Sequence, residues 1–261
     1  MRLLFWRARP IPVLELHGLI AARPGAVSIA TYGPLIERAV AAAGKGGMLL
    51  LDIQSPGGSP VQSDLIASRI RRHAQEGGVR VVAVIGEVGA SGGYWLACAA
   101  DEIVANAMSV VGSIGVIGGG FGLVGLLERL GVERRLYTAG ENKARLDPFS
   151  PERPQDVAFV RALLEELHGR FKDWVRARRA GKLKGEEAAI FDGGWMLGER
   201  AAELGLIDRL GDLDGELRAA GGAKARARVF RPRRRGLLSR LPRLMAEELL
   251  AALEEPGGVR L

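Results

Sequence analysis

Short aliphatic runs alternate with longer amphipathic ones along most of this chain, and that alternation limits the fold more than any other feature. The run "PVLELHGLI" gives way to "YGPLIERAVAAAG", "GMLLLDI" to "VQSDLIASRIRRHAQEG", and "VRVVAVIGE" opens a third unit. Apolar runs of about four to eight residues suit buried strands, and spacing of three and four suits helices packed upon them. The rhythm continues through "DEIVAN", "SVVGSIGVI", "FGLVGLLERLG" and "ERRLYTAG", the last read as a strand. A long amphipathic helix then carries Phe159, Leu163, Leu167, Phe171 and Trp174 on one stripe. The expected class is α/β with considerable parallel character.

A chain of 261 residues with 48% apolar and 26% charged residues has ample material for one large core, which excludes wholesale disorder and a multi-span membrane architecture. Its one cysteine, Cys98, excludes an intrachain disulfide framework. "LLFW", flanked by arginines, is too short for a signal-peptide core or a membrane span, so a cytoplasmic or peripherally membrane-associated protein is expected. The only plausible boundary is "AAGGAKARARVFRPRRRG", which divides a domain at 1–220 from a basic segment at 221–261. In that segment Leu237, Leu241, Leu244 or Met245, Leu249 and Leu253 recur at helical spacing, interrupted by Pro242. Such a helix packs on its own domain or a neighbouring subunit, or lies on an anionic membrane surface. The net charge of +7 comes largely from this end of the chain.

Three motifs could carry chemistry. "GASGG" fits G-x-S-x-G between an expected strand and an expected helix, so Ser91 occupies the place of a nucleophile at a sharp turn. A hydrolase of the triad type would need a histidine downstream on a loop, yet His168 falls inside the long helix. His17 and His73 fit structural positions, and none of the three shows a partner acid. "SPGGSP" follows another strand, where glycines expose backbone N–H groups able to hold an oxyanion and Ser59 with Pro60 begins a helix. Gly120, Gly122 and Gly125 fit G-x-G-x-x-G with Glu141 further on, a formal dinucleotide fingerprint without the usual position at the head of its domain.

Without a histidine, the base for a serine must be something else, and a neutral lysine can do it. The chain carries six lysines against 31 arginines, so each lysine raises the question of whether arginine would fail there. Arginine fails as a base because its guanidinium stays protonated. Lys45, Lys182 and Lys184 lie in apparent wet turns, Lys224 in the basic run and Lys172 on the amphipathic helix. Lys143, in "YTAGENKARLDPF", directly follows an expected strand end, where α/β folds place their chemistry.

Taken together, "DIQSPGGSPVQSDLI", "GEVGASGGYWLACAADEIVANAMSVVGSIGV", "YTAGENKARLDPF" and "GGWMLGERAAELGLIDRLGDLD" resemble the signal peptide peptidase A family of serine peptidases, peptidase family S49. The resemblance runs from about residue 10 to residue 220 and implies a ClpP/crotonase-like fold of stacked ββα units. It implies Ser91 as nucleophile, Lys143 as general base, the N–H groups of Gly58 and Gly92 as oxyanion donors, and Ser113 as the residue orienting the lysine. Gly57 replaces Gly58 if the turn shifts by one. It further implies no metal or cofactor, no nucleic-acid partner, extended peptide substrates such as signal-peptide remnants, and a homo-oligomeric ring. Family members often carry an amino-terminal membrane helix, which this sequence does not show. A crotonase-like acyl-CoA enzyme and a dinucleotide-binding oxidoreductase are the alternatives.

Overall fold

The computed structural model describes residues 10–232. In chain order it contains β1 (Ile11–His17), α1 (Ile29–Ala43), β2 (Met48–Ser55), α2 (Pro60–Gly77), β3 (Arg80–Ala90), α3 (Gly92–Ala97), β4 (Glu102–Ala105) and β5 (Val110–Gly112). There follow α4 (Val124–Leu130), α5 (Pro154–Arg178), α6 (Glu187–Ile190), β6 (Trp195–Leu197), α7 (Gly198–Glu203), β7 (Arg209–Leu210), α8 (Leu213–Gly221) and β8 (Ala227–Phe230). The class is α/β, as the alternating pattern requires.

The strands form one sheet in the order β6-β5-β3-β2-β1-β8, with β4 branching from β3 and β7 pairing with β4. Every pairing is parallel except β5 with β6. Parallel strands are buried on both faces, which is why β2 reads "MLLLDI" rather than as an alternation. Leu49, Leu51 and Ile53 point to one side, where Ile36 of α1, Ile66 and Ile70 of α2 and Tyr94 of α3 complete the main core. Leu50, Val13, Val82 and Val84 point to the other, beneath Leu213 and Leu217 of α8. Each fully buried aliphatic side chain contributes about 1.5–3 kcal/mol.

Strand β3 is long because it serves two partners in succession. Val82–Ile85 pair with β4, and Val88–Ala90 pair with β5. Helix α2 begins as its sequence dictates, with the Ser59 hydroxyl accepting the Gln62 N–H and Pro60 in the first turn, and ends at Gly78 in a left-handed conformation.

The expected strand over "ERRLYTAG" does not form: residues 132–138 take no regular structure. The side of β5 that a further strand would extend is occupied by antiparallel β6. The basic run contributes a strand that its composition hid, since Ala227–Phe230 pair with Ile11–Leu14 and carry the compact unit to Phe230. The "LLFW" stretch and the amphipathic segment beyond Pro232 lie outside the described residues. Among the described residues no helix is long and apolar enough to cross a membrane.

Candidate active site

Ser91 stands at the junction of β3 and α3 with φ 52° and ψ −122°, a left-handed position that costs a residue with a side chain about 1–3 kcal/mol. The surroundings hold it there. Its N–H donates to the Gly112 carbonyl on β5 at 2.8 Å, and its carbonyl accepts the Trp95 N–H at 2.9 Å. Helix α3 is fixed at its far end as well. Arg178 donates to the carbonyls of Cys98 and Ala100 at 2.8 and 2.9 Å, and the buried Tyr94 hydroxyl donates to Leu206 O at 2.7 Å. Cations at a helix carboxyl end satisfy its orphan carbonyls and oppose its dipole.

The "SPGG" turn is pressed against this elbow. A Cβ on Gly57, whose φ is +103°, would lie 2.7 Å from both Gly92 N and Ser91 Cβ, so only glycine permits the approach. Gly58, with φ +142°, is held by a bridge to Ile20, whose carbonyl oxygen would be 2.1 Å from a Cβ there. Neither the Gly58 nor the Gly92 N–H donates a hydrogen bond among the described residues. Both glycines line one cleft with Ser91 and Ser113, and its volume is about 550 Å³. Unpaired backbone donors beside a half-buried hydroxyl suit a developing oxyanion.

The opposite wall is apolar. Trp95 of α3 lies 5.0 Å from Phe171, ring centre to centre, and stacks on Trp174 at 5.8 Å, while the Trp174 indole donates to Trp95 O. Leu167, Val116 and Ile117 extend that wall. Ser113 has φ 53°, and its N–H donates to Gly194 O at 2.6 Å, so the chain turns sharply out of β5 into the cleft.

Of the residues expected from the sequence, the structure brings together Ser91, Gly58, Gly92 and Ser113. Lys143 is not among the residues lining the cleft. It sits in an exposed run of turns, and its ammonium makes no ion pair among the described residues. The strand end expected to place it is missing, which removes the geometric reason for its position. Two titratable side chains unanticipated at this site line the cleft: His168 and Asp192. His168 lies three residues before Phe171 on α5, the same helix face, and that spacing was the available signal. The other two histidines lie away from the cleft and do have acidic neighbours, contrary to the sequence reading. His17 meets Asp52 at 2.9 Å, and His73 approaches Glu37 and Glu76. Burial pushes the Asp52 carboxyl up, and His17 offsets part of that rise.

The glycine fingerprint lacks the frame that nucleotide binding requires. No strand leads directly into it, because β5 ends at Gly112 and residues 113–123 take no regular structure; α4 has only seven residues, and a Cβ at Gly120, Gly122 or Gly125 would meet nothing within 4 Å. Those glycines make no close approach.

A serine on a strained strand-to-helix turn, beside free N–H groups in a cleft, has the geometry of a hydrolase nucleophile elbow on an α/β fold. Residues 73–225 match the model of peptidase family S49, and the chain belongs to that family. It is similar to the Na(+)/H(+) antiporter NhaA of Brucella abortus, 46% identical over 235 residues, which cover 88% of this chain and 31% of the antiporter. It is also similar to the chloroplast serine protease SPPA of Arabidopsis thaliana, 33% identical over 79% of this chain and 30% of the plant protein. The chain therefore spans about a third of the length of these relatives. A solved structure of the membrane-bound stomatin-specific protease 1510-N, S97A mutant, shares the fold with a TM-score of 0.50 at 12% identity, covering 87% of this chain and all of that one.

Proposed function

We propose that this chain is a serine endopeptidase working through a Ser91/Lys143 dyad on extended, small or membrane-derived peptides such as signal-peptide remnants. The observation that carries the reading is the meeting of the strained Ser91 with the free N–H groups of Gly58 and Gly92 in one cleft. Ser91 Oγ attacks the scissile carbonyl carbon as its proton passes to the neutral Lys143 amine, and the carbonyl oxygen becomes an oxyanion facing the two N–H groups. Collapse breaks the C–N bond, and the lysine returns the proton to the leaving amine. Water, deprotonated by the same lysine, then hydrolyses the acyl-enzyme. Ser113 orients the amine.

Assembly of the dyad requires Lys143 to enter the cleft, either as its own segment repositions or from a second copy in a homo-oligomeric ring. Exposed apolar side chains support the second route. Ile117 is 99% exposed, Tyr137 88% and Phe121 85%, and Phe159 and Leu163 leave the first half of the α5 stripe uncovered. The membrane setting of the substrate is favoured by a relative whose chain is named an antiporter.

Peptide hydrolysis by Ser91→Ala, Lys143→Ala, Lys143→Arg and a mixture of the two alanine variants tests the reading. Each variant alone should lose activity, because arginine cannot serve as a base. Recovery on mixing assigns the lysine to a second copy, and no recovery assigns it to the same chain. Full activity of either alanine variant would refute the dyad.

A further inference from the structure

The cleft contains one titratable ring that the dyad does not use. His168 Nε2 lies 2.9 Å from the carbonyl oxygen of Ile114. A carbonyl only accepts, so this nitrogen carries the proton and donates it, leaving no lone pair there for a base. Ile114 directly follows Ser113, where the chain leaves β5. The turn is tied on its other side by Ser113 N–H to Gly194 O and by Gly115 N–H to Ser113 O at 2.9 Å. Gly115 is also pressed against Gly193, whose Cα would be 2.9 Å from a Cβ. Past Gly115 the pairing stops: the N–H and C=O groups of Val116 and Ile117 bond to no backbone group among the described residues, while both residues line the cleft. Backbone with free polar groups beside the cleft is a template for a peptide added in β register.

We propose that His168 is a positioning residue: through Ile114 it sets the 115–117 stretch as the rail along which an extended peptide lies relative to Ser91. The inference rests on the peptidase reading above. It assigns the histidine to substrate alignment, not to proton transfer, so its removal should weaken the binding of long substrates more than the reaction of short ones.

The test compares wild type, His168→Leu and His168→Gln on a chromogenic hexapeptide and on a single-residue ester, with melting temperatures alongside. Glutamine keeps an N–H donor at comparable reach. The leucine variant should raise KM for the hexapeptide about tenfold, the effect of losing one part-buried hydrogen bond, with a smaller change in kcat. Its loss on the ester should be smaller, and glutamine should return most of the hexapeptide affinity. Equal losses on both substrates that track the melting temperature would reduce His168 to a packing residue and overturn the proposal. So would wild-type kinetics in His168→Leu, or a glutamine variant as inactive as Ser91→Ala, which would make His168 the base. A wild-type protein that cleaves neither substrate would refute the peptidase reading itself, and this inference with it.

Discussion

Gly57→Ala isolates the contact between the glycine turn and the Ser91 elbow. The added Cβ would lie 2.7 Å from Gly92 N and 2.7 Å from Ser91 Cβ, against an ordinary carbon contact of about 3.5–4.0 Å. The turn and the elbow must therefore separate by about 1 Å. At φ +103° the alanine also carries about 1–2 kcal/mol of backbone strain. A misplacement of about 1 Å costs roughly 100-fold in rate, close to the loss of one oxyanion donor and equivalent to about 3 kcal/mol of barrier. In steady-state peptide hydrolysis kcat should fall about 100-fold with KM changed only a few-fold, because the oxyanion exists only in the transition state. Gly120→Ala, whose Cβ meets nothing within 4 Å, should match wild type and serves as the control. A folded Gly57→Ala protein with kcat within threefold of wild type would refute the assignment of these N–H groups to the oxyanion.

Other expectations concern the frame behind the site. Burial pushes the Cys98 thiol up to about 12, so maleimide should leave the native protein unlabelled near neutral pH and add one equivalent in urea. Labelling of the folded protein would contradict that burial. Arg179, 2% exposed, donates to Asp208 at 2.7 Å and twice to Gly205 O. Arg179→Met should cost about 3 kcal/mol in urea denaturation, and a loss below about 1 kcal/mol would show that the pair is not integral. Burial acts to raise the Asp208 carboxyl, but the hydrogen bonds from Arg179 and Lys182 outweigh it and lower the value overall. Its stabilising effect is therefore present above the unfolded carboxylate value near 4 and lost as pH falls through the lower folded one. The acid limb of the stability profile should be shallower in Arg179→Met than in wild type.

Much of the fold was legible because it is written in local chemistry. Ser59, Pro60 and the apolar period mark α2, and the all-aliphatic runs of β2 and β3 announce strands buried on both faces. The Ser91 elbow was equally readable, since glycines flank a serine between a strand and a helix. What the sequence could not reveal depends on partners distant in the chain. Strand β8 exists only because β1 offers an edge beside it, and "ERRLYTAG" fails as a strand because β6 already covers β5. A histidine inside a helix carries no sequence signal of a site, yet α5 runs along the cleft and points the His168 ring at Ile114. The strand end that would place Lys143 does not form, so its proposed role rests on motif and chemistry rather than on position within this chain.

The most direct measurement is the mass of the protein and of its peptides after reaction with a fluorophosphonate at several pH values. One adduct on Ser91 is expected, absent from Ser91→Ala and formed at least about 100-fold more slowly in Lys143→Ala, the scale of a lost general base. An adduct on a different serine, or a Lys143→Ala protein that reacts at the wild-type rate, would contradict the Ser91/Lys143 mechanism.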